Sequence, residues 1–270
     1  MGKCRRFVLA IREVGATFKF ETITIRGSIQ LHISMKTILF SVTAIMAASL
    51  LSAWADPKDD VTSAAQKLSA ADNYTWQTTV VVPADSRFKP GPTDGKLQGG
   101  MIDVKMSRGD NHTEFITSGT NTVITDPDDG SWEKLSDVDT SGFGRFLVMM
   151  VQNFKAPGAQ ATDLLANTDA GSLQQSGNSY SGTLTEEGAK KLMTFGRGRR
   201  GGNGPSISNP SGTVTFTVDG GQLTKFEYHV KGTMSFNGND RPVDNDTTVT
   251  ISAVGATKIN VPDDAKKLLP

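Results

Sequence analysis

Side chains that could act as nucleophiles, bases or metal ligands are few and widely spaced in this sequence of 270 residues. Its one cysteine is Cys4, and His112 and His229 lie far from it and from each other. No Gly-x-Ser-x-Gly element, His-Glu-x-x-His zinc element or phosphate-binding loop occurs in the sequence. We therefore expect no enzyme, no cofactor and no metal site. The catalytic alternative is a hydrolase built on paired carboxylates, which require no motif.

Two charged clusters have the composition of binding elements. Residues 197–202, Arg-Gly-Arg-Arg-Gly-Gly, are similar to the RGG elements that bind nucleic acids. Because the chain after residue 55 is acidic, we expect a solvated loop here and no nucleic-acid partner, with contact to anionic lipid headgroups as the alternative. The segment Asp126–Gly130 holds three aspartates but lacks the spacing of a calcium-binding loop, so we expect only a turn.

Apolar side chains form the most extensive patterns in the sequence. Six large ones recur at the spacing of one helix face: Phe143, Phe146, Leu147, Met150, Val151 and Phe154. This stripe predicts an amphipathic helix over residues 143–154. Asp137 or Asp139 is placed to cap its start, and Pro157-Gly158 is placed to end it.

Apolar and polar residues alternate strictly in the C-terminal part of the chain. From Gly212 to Phe236, β-branched and aromatic residues alternate with polar ones. This period of two predicts antiparallel strands with one apolar and one polar face, joined by a tight hairpin at Asp219–Gly221. The strand from Thr224 to Phe236 would be about 40 Å long at about 3.3 Å per residue. A strand of this length requires a large curved sheet, and Gly232 is the expected bend.

The rest of the chain divides into shorter elements. Helices are expected from Asp56-Pro57 to before Ala71 and at 163–167, 185–193 and 265–269. Strands are expected at 74–82, 102–107, 112–117, 121–125, 131–135, 172–175, 179–184, 247–252 and 257–262. Loops are expected at 87–95 and 195–211, and a polar turn at 237–246. This order predicts an α+β fold in which a curved antiparallel sheet is covered on one face by short helices.

The apolar face of the sheet and the helix stripe form the candidate ligand-binding surface. Together with the six residues of the stripe, the strand residues expected to line an apolar cavity are Ile102, Val104, Met106, Phe115, Phe216, Phe226, Tyr228 and Met234. The alternative is that these side chains form an ordinary packed core. Met149 and Met150 favour ligand contact, because unbranched thioethers adapt to irregular shapes.

Residues 35–55 have the features of a secretory signal peptide: Met35-Lys36, an apolar run, and Ala53-Trp54-Ala55 before Asp56. We expect residues 1–55 to be removed, with translation starting at Met35 or residues 1–34 forming a long basic leader, and residues 56–270 to fold as one domain. Of 28 basic and 28 acidic residues, seven basic and two acidic precede Asp56, so the remainder carries a formal charge of −5. That part contains no cysteine for a disulfide or a lipid anchor.

Four segments carry a resemblance to a known family: Lys67–Tyr74, Thr125–Trp132, Leu223–Phe236 and Thr257–Ala265. They resemble the periplasmic LolA-like lipoprotein-carrier superfamily and the mycobacterial cell-envelope lipoproteins that hold lipids in the same half-barrel. Unlike the mycobacterial members, the chain lacks a lipobox cysteine, and it carries the additional Arg/Gly segment.

The resemblance implies an unclosed β-barrel in which a helical lid covers a hydrophobic cavity. It also implies an exported protein of a bacterial periplasm or cell exterior. Its partners would be the acyl chains of a lipid or lipoprotein, with an envelope protein and transient membrane-surface contact as further partners, and we expect a monomer. The alternative function is that of a protein-binding sensor or scaffold with the same fold and a filled core.

Overall fold

The computed structural model describes residues 56–86, 89–109, 111–194, 205–236 and 238–269. Its helices are α1 Pro57–Ser69, α2 Gly142–Gln152, α3 Pro157–Ala166, α4 Glu186–Met193 and α5 Asp263–Leu268. Its strands are β1 Asn73–Val81, β2 Thr93–Gln98, β3 Met101–Arg108, β4 Asn111–Ser118, β5 Asn121–Thr125, β6 Trp132–Lys134, β7 Gln174–Ser176, β8 Ser179–Thr183, β9 Ser206–Asp219, β10 Gln222–Phe236 and β11 Asn239–Ser252. The expected leader, 1–55, and the Arg/Gly segment, 197–202, lie outside the described residues.

The strands of the described residues join in one 11-stranded sheet with the order β6-β5-β4-β3-β2-β1-β11-β10-β9-β8-β7. Each neighbouring pair is antiparallel. The order does not close on itself, because the short strands β6 and β7 form its two edges. The expected fold class is therefore confirmed: an α+β protein with an open antiparallel sheet and short helices.

The long hairpin of β9 and β10 forms as its alternation predicts. Gly220 and Gly221 have φ angles of 55° and 74° in the turn between the two strands, a conformation that residues with a side chain rarely adopt. The register between β9 and β10 shifts between Lys231 and Thr233. The irregularity expected at Gly232 is therefore present.

Alternation along the strands gives the sheet two different faces. We call the face that carries Trp76, Val104, Phe115, Phe216 and Phe226 the inner face; all five side chains are buried there. The opposite, outer face of β10 carries charged residues such as Lys225 and Glu227, which form an ion pair of 2.9 Å. Burial of the inner face is the main source of hydrophobic stabilisation in this fold.

Helices α1, α3 and α4 cover the inner face along β9 and β10. The carboxylate of Asp56 caps α1 by accepting a hydrogen bond from the Lys58 amide, and Val61, Ala64, Ala65 and Leu68 form its buried stripe. Helix α3 packs on α1, and α4 packs on β9 and β10. The Thr185 hydroxyl caps α4 by accepting from the Gly188 amide, as predicted.

Helix α5 packs against the outer face at the other end of the sheet. Ile116 and Val123, which alternate with the inner-face residues Phe115 and Ile124, form a second apolar cluster with Ala265 of α5. The chain leading to α5 is held by side chains, because the Thr257 amide donates to Asn73 Oδ1 and the Ile259 amide to Gln98 Oε1.

Three expected loops or turns contain strand structure. Residues 93–95 belong to β2 and not to a loop, since Gly95 allows close packing of Trp76 from β1. Strand β9 begins at Ser206, although Asn209 interrupts its regular conformation with a φ angle of 52°. The expected polar turn at 237–246 falls mostly within β11, whose residues from Asn239 onward pair with β10.

Three other local predictions are wrong. Pro157 does not end a helix but begins α3, where its fixed φ and missing N–H are tolerated. Neither Asp137 nor Asp139 caps α2: its N-cap is Ser141, and the Asp139 carboxylate instead accepts hydrogen bonds from Ser141. Residues 257–262 are not a strand, because their amides bond to side chains of β1 and β2.

Candidate functional site

The C-terminal half of α2 is seated on the inner face. Leu147 and Val151 are 3% and 8% exposed and belong to the main apolar cluster. Just beyond the helix, the ring of Phe154 stacks on Trp76 at 6.0 Å and meets the edge of Phe115 at 5.4 Å. Three of the six stripe residues therefore fill the space between α2 and the strands β1 and β4.

The N-terminal half of the same helix faces solvent. Phe143 and Phe146 are 43% and 45% exposed, and their rings stack on each other at 5.8 Å. Together the two rings form a small exposed apolar patch on the helix. The predicted stripe is thus divided into a part that packs on the sheet and an exposed pair of phenylalanines.

Helix α2 lacks the local features that stabilise α1 and α4. Its N-cap makes no side-chain hydrogen bond, its first turn has no acidic residue and its last turn has no basic residue. Gly142 and Gly144 lie in the first turn, and glycine weakens a helix by about 1 kcal/mol relative to alanine. Helices α1 and α4 have side-chain caps and charges that complement the helix dipole. The same features are missing from α3, so α2 and α3 are held by tertiary contacts more than by their own sequences.

The inner face becomes partly exposed toward the hairpin of β10 and β11, which we call the β10–β11 end. Strand β1 stops at Val81, opposite Asp246, so residues 239–245 of β11 extend beyond it. Apolar residues that pack on the core but are only half-buried lie toward this end: Met106, Ile207, Tyr228, Met234 and Val243. Two of them are methionines, whose side chains adapt to irregular partners.

The predicted cavity residues therefore occupy two zones of one face. Val104, Phe115, Phe216 and Phe226 are fully buried in the closed part of the core. Ile102, Met106, Met150, Tyr228 and Met234 are half-buried around it. The sequence interpretation did not include Ile207 and Val243, because it assigned their segments to a loop and a turn. The alternation of Val243, Thr247 and Val249 on β11 is a signal that could have identified Val243.

Two hollows bordered by described residues lie away from α2. One, of about 260 Å³, lies on the outer face of β9–β11 beside Glu227, His229 and Asp246. The other, of about 320 Å³, lies between α1 and the turn of β9 and β10 beside Asp60, Lys67 and Tyr180. The space beneath α2 contains the apolar side chains named above.

The two histidines and the acidic turn considered for catalysis or metal binding do not come together. His112 Nδ1 lies 3.1 Å from the Ser107 hydroxyl, and His229 Nε2 lies 2.5 Å from Asp244 Oδ1 on another strand. Within the described ranges, no group of three His, Cys, Asp or Glu side chains could hold a metal ion. In the Asp126–Gly130 turn, Asp126 accepts from the Asp128 amide and Asp129 from the Ser131 amide. Hydrogen bonds from Ser131 lower the pKa of Asp129, so this carboxylate stabilises the turn.

Comparison with known proteins gives similarity at the level of the fold. No family model matches the chain, and no curated protein matches it. The fold is similar to that of two mycobacterial proteins. One is the lipoprotein LppX of Mycobacterium tuberculosis, with 12% identity, a TM-score of 0.41, and coverage of 76% of this chain and 98% of LppX. The other is LprF of Mycobacterium bovis, with 11% identity, a TM-score of 0.39, and coverage of 77% of this chain and 97% of LprF.

None of the described helices has both the length and the apolar character needed to cross a membrane.

Proposed function

We propose that the protein is exported and shelters the acyl chains of a lipid or lipoprotein between the inner face of its sheet and helix α2. The observation that carries this proposal is the division of the apolar surface. A fully buried core continues into half-buried side chains at the β10–β11 end, and α2, which packs on the same inner face beside Trp76 and Phe115, lacks its own capping interactions. We propose no catalytic step and no cofactor.

Entry of an acyl chain requires α2 to move outward. Leu147, Val151 and Phe154 now occupy the space that the chain would fill, so ligand contacts must replace theirs. Each methylene transferred from water contributes about 0.8 kcal/mol. Burial of a few ligand methylenes per displaced side chain therefore offsets the free energy lost when that side chain leaves the inner face. The exposed pair Phe143 and Phe146 would then contact the chain or the surface from which it is taken.

The part of the chain outside the described residues completes the proposal. We propose that residues 35–55 direct export and are removed, leaving residues 56–270 as one domain. Residues 56–270 contain no cysteine that could carry a lipid anchor. We accordingly propose a protein that leaves the membrane with its cargo, acts in a bacterial periplasm or outside the cell, and meets envelope proteins and membrane surfaces transiently.

Binding of a fluorescent long-chain fatty acid tests the proposal. Met106→Glu places a charge on the half-buried inner face, so we expect binding at least about tenfold weaker, since an unpaired charge in an apolar site costs several kcal/mol. Thr79→Glu places the same charge on the exposed outer face of β1 and should leave binding unchanged. Urea unfolding of both variants verifies that they are folded. Equal binding by Met106→Glu and Thr79→Glu would show that the fatty acid does not use the inner face.

A protein-binding scaffold is the second candidate, and the filled space beneath α2 favours it. In that case Phe143 and Phe146 would be the contact surface for another protein and the core would never open. Native mass spectrometry of the protein secreted by its own host distinguishes the two. A co-purifying lipid supports acyl-chain binding, whereas an empty protein that also fails to bind the fluorescent fatty acid supports the scaffold.

A further inference from the structure

A buried carboxylate on the outer face of the sheet has no role in the site described above. Asp103 of β3 is 3% exposed, although it alternates with the inner-face residues of its strand. It lies between Lys96 of β2 and Ile116 of β4, its partners in the strand register. A carboxylate that is buried needs hydrogen-bond donors from the protein. Removal of a charged group from water without such donors costs several kcal/mol.

The protein supplies Asp103 with one distant cation and leaves one oxygen without a donor. Lys96 Nζ lies 3.8 Å from Oδ2 of Asp103, beyond the length of a hydrogen bond. No donor among the described residues reaches Oδ1, which is fully shielded from solvent. Unpaired buried oxygens are rare in native structures, so a proton donor not yet identified is expected at this position.

Glu114 of β4 is placed to be that donor. The strand register pairs Asp103 with Ile116, so Glu114, two residues earlier, lies diagonally next to Asp103 on the same face. Two carboxyl groups can form a hydrogen bond only when one of them holds a proton. Burial is the main cause that raises the pKa of Glu114, and the charge of Asp103 raises it further. Lys105, whose Nζ lies 3.3 Å from Glu114 Oε2, partly opposes this by lowering it.

A proton fits this pair better than a metal ion does. Lys96 and Lys105 flank the two carboxyls and would repel a divalent cation. Thr125 bonds to the backbone of Glu114 and leaves its carboxyl free for Asp103. The charges of α5, which packs on the same face, are paired within the helix as Asp263 with Lys266 and Asp264 with Lys267.

We propose that Asp103 and Glu114 share one proton and form a pH-sensitive clasp between β3 and β4. With the proton present, Oδ1 of Asp103 has its donor and the pair carries one negative charge beside two lysines. Without it, the buried carboxylate of Asp103 and the half-buried carboxylate of Glu114 repel each other, and one must turn toward water. The clasp contributes its full stability below the ordinary pKa of glutamate and loses it as the pH rises through the raised pKa of Glu114.

Opening of the clasp would also loosen the C-terminal segment. Ile116 follows Glu114 by two residues and points to the same face, where it is buried against Ala265 of α5, with Val261 and Leu268 around them. Outward rotation of the Glu114 carboxyl disturbs this part of β4. As the pH rises through the raised pKa of Glu114, the hydrogen-exchange protection of residues 257–269, corrected for the intrinsic effect of pH on amide exchange, should therefore fall before that of the inner face.

Carboxyl titration by NMR and urea unfolding of the purified protein between about pH 4 and about pH 8 test the clasp. We expect Glu114 to titrate above ordinary glutamates, and lower in Asp103→Asn than in the wild type. Glu114→Gln mimics the protonated form, so its urea midpoint should equal that of the wild type at low pH and exceed it increasingly as the pH rises. Glu227→Gln, a half-exposed glutamate on the same face, should show no pH-dependent difference.

Either of two results would overturn the proposal. One is an ordinary titration midpoint for Glu114 in the folded protein. The other is a difference between Glu114→Gln and the wild type that does not change with pH, which would mean that Glu114 is ionised throughout. If Glu114→Gln does not fold, the titration of Glu114 in the wild type and in Asp103→Asn decides the question alone.

Discussion

On the inner face, the indole ring of Trp76 packs directly on Gly95 of β2. The register places Gly95 directly opposite Trp76, and a Cβ atom built on Gly95 would lie 2.0 Å from the indole ring. No side chain other than hydrogen fits there without movement of Trp76. Because Trp76 also stacks on Phe154, just after α2, a shift of the Trp76 ring would displace Phe154 as well.

Gly95→Ala should therefore destabilise the protein by about 1–3 kcal/mol through overpacking. Gly171→Ala is the matched control, because its Cβ would meet only Asp169 Oδ1 at 3.7 Å and its φ is not in the left-handed region. Urea unfolding measures both changes. Similar midpoints for the two variants would mean that Trp76 moves aside without cost.

Two phenylalanines of one stripe should differ in their contribution to stability. Phe154→Ala removes the ring between Trp76 and Phe115, and we expect a loss of about 2–4 kcal/mol in the free energy of unfolding. Phe146→Ala removes a half-exposed ring whose described stacking partner is Phe143, and we expect a loss below about 1 kcal/mol. The same measurement on both variants tests the division of the stripe. Equal losses would contradict the assignment of Phe146 to the exposed part.

Whole elements were predictable from the sequence where pattern and packing agree. The periodicity of α1, α2 and β10 determines which face each element buries, so these elements lie where they were expected. Strand β2 and residues 239–246 of β11 were not predictable, because their pairing with β1 and β10 outweighs their Gly, Asp, Asn and Pro content. How deeply each apolar residue of α2 is buried depends on tertiary packing, and the periodicity of the sequence does not determine it.

The absence of stabilising charges in α2 gives a direct test of its proposed role as a movable cover. Gln152→Lys places a positive charge in the last turn, where it stabilises the helix by about 0.3–1 kcal/mol. We expect slower association of the fluorescent fatty acid, because opening costs more. Gln152→Glu, the charge-reversed control, should accelerate association. Stopped-flow fluorescence measures both rates. Identical rates for the two variants would mean that α2 does not move during binding.

At the scale of the whole molecule, the two faces of the sheet carry different kinds of side chain. The inner face holds the apolar core and its half-buried extension, and the outer face holds polar side chains, the Asp103–Glu114 pair and α5. A ligand that enters the inner face therefore need not disturb the outer face. The proposed acyl-chain site and the proposed clasp can fail independently, which allows each to be tested in the same protein.

Acyl-chain binding should have opposite effects on global stability and on α2. Binding to the folded state alone raises the free energy of unfolding by about 2.7 kcal/mol when the ligand concentration is a hundred times Kd, so the thermal midpoint should rise with fatty acid. Displacement of Leu147 and Val151 should at the same time increase amide hydrogen exchange in α2. Helix α4, with its Thr185 cap, serves as the internal control whose exchange should not increase. Slower exchange in α2 together with a higher thermal midpoint would show that the chain binds beneath a helix that stays seated, and an unchanged midpoint would favour the scaffold.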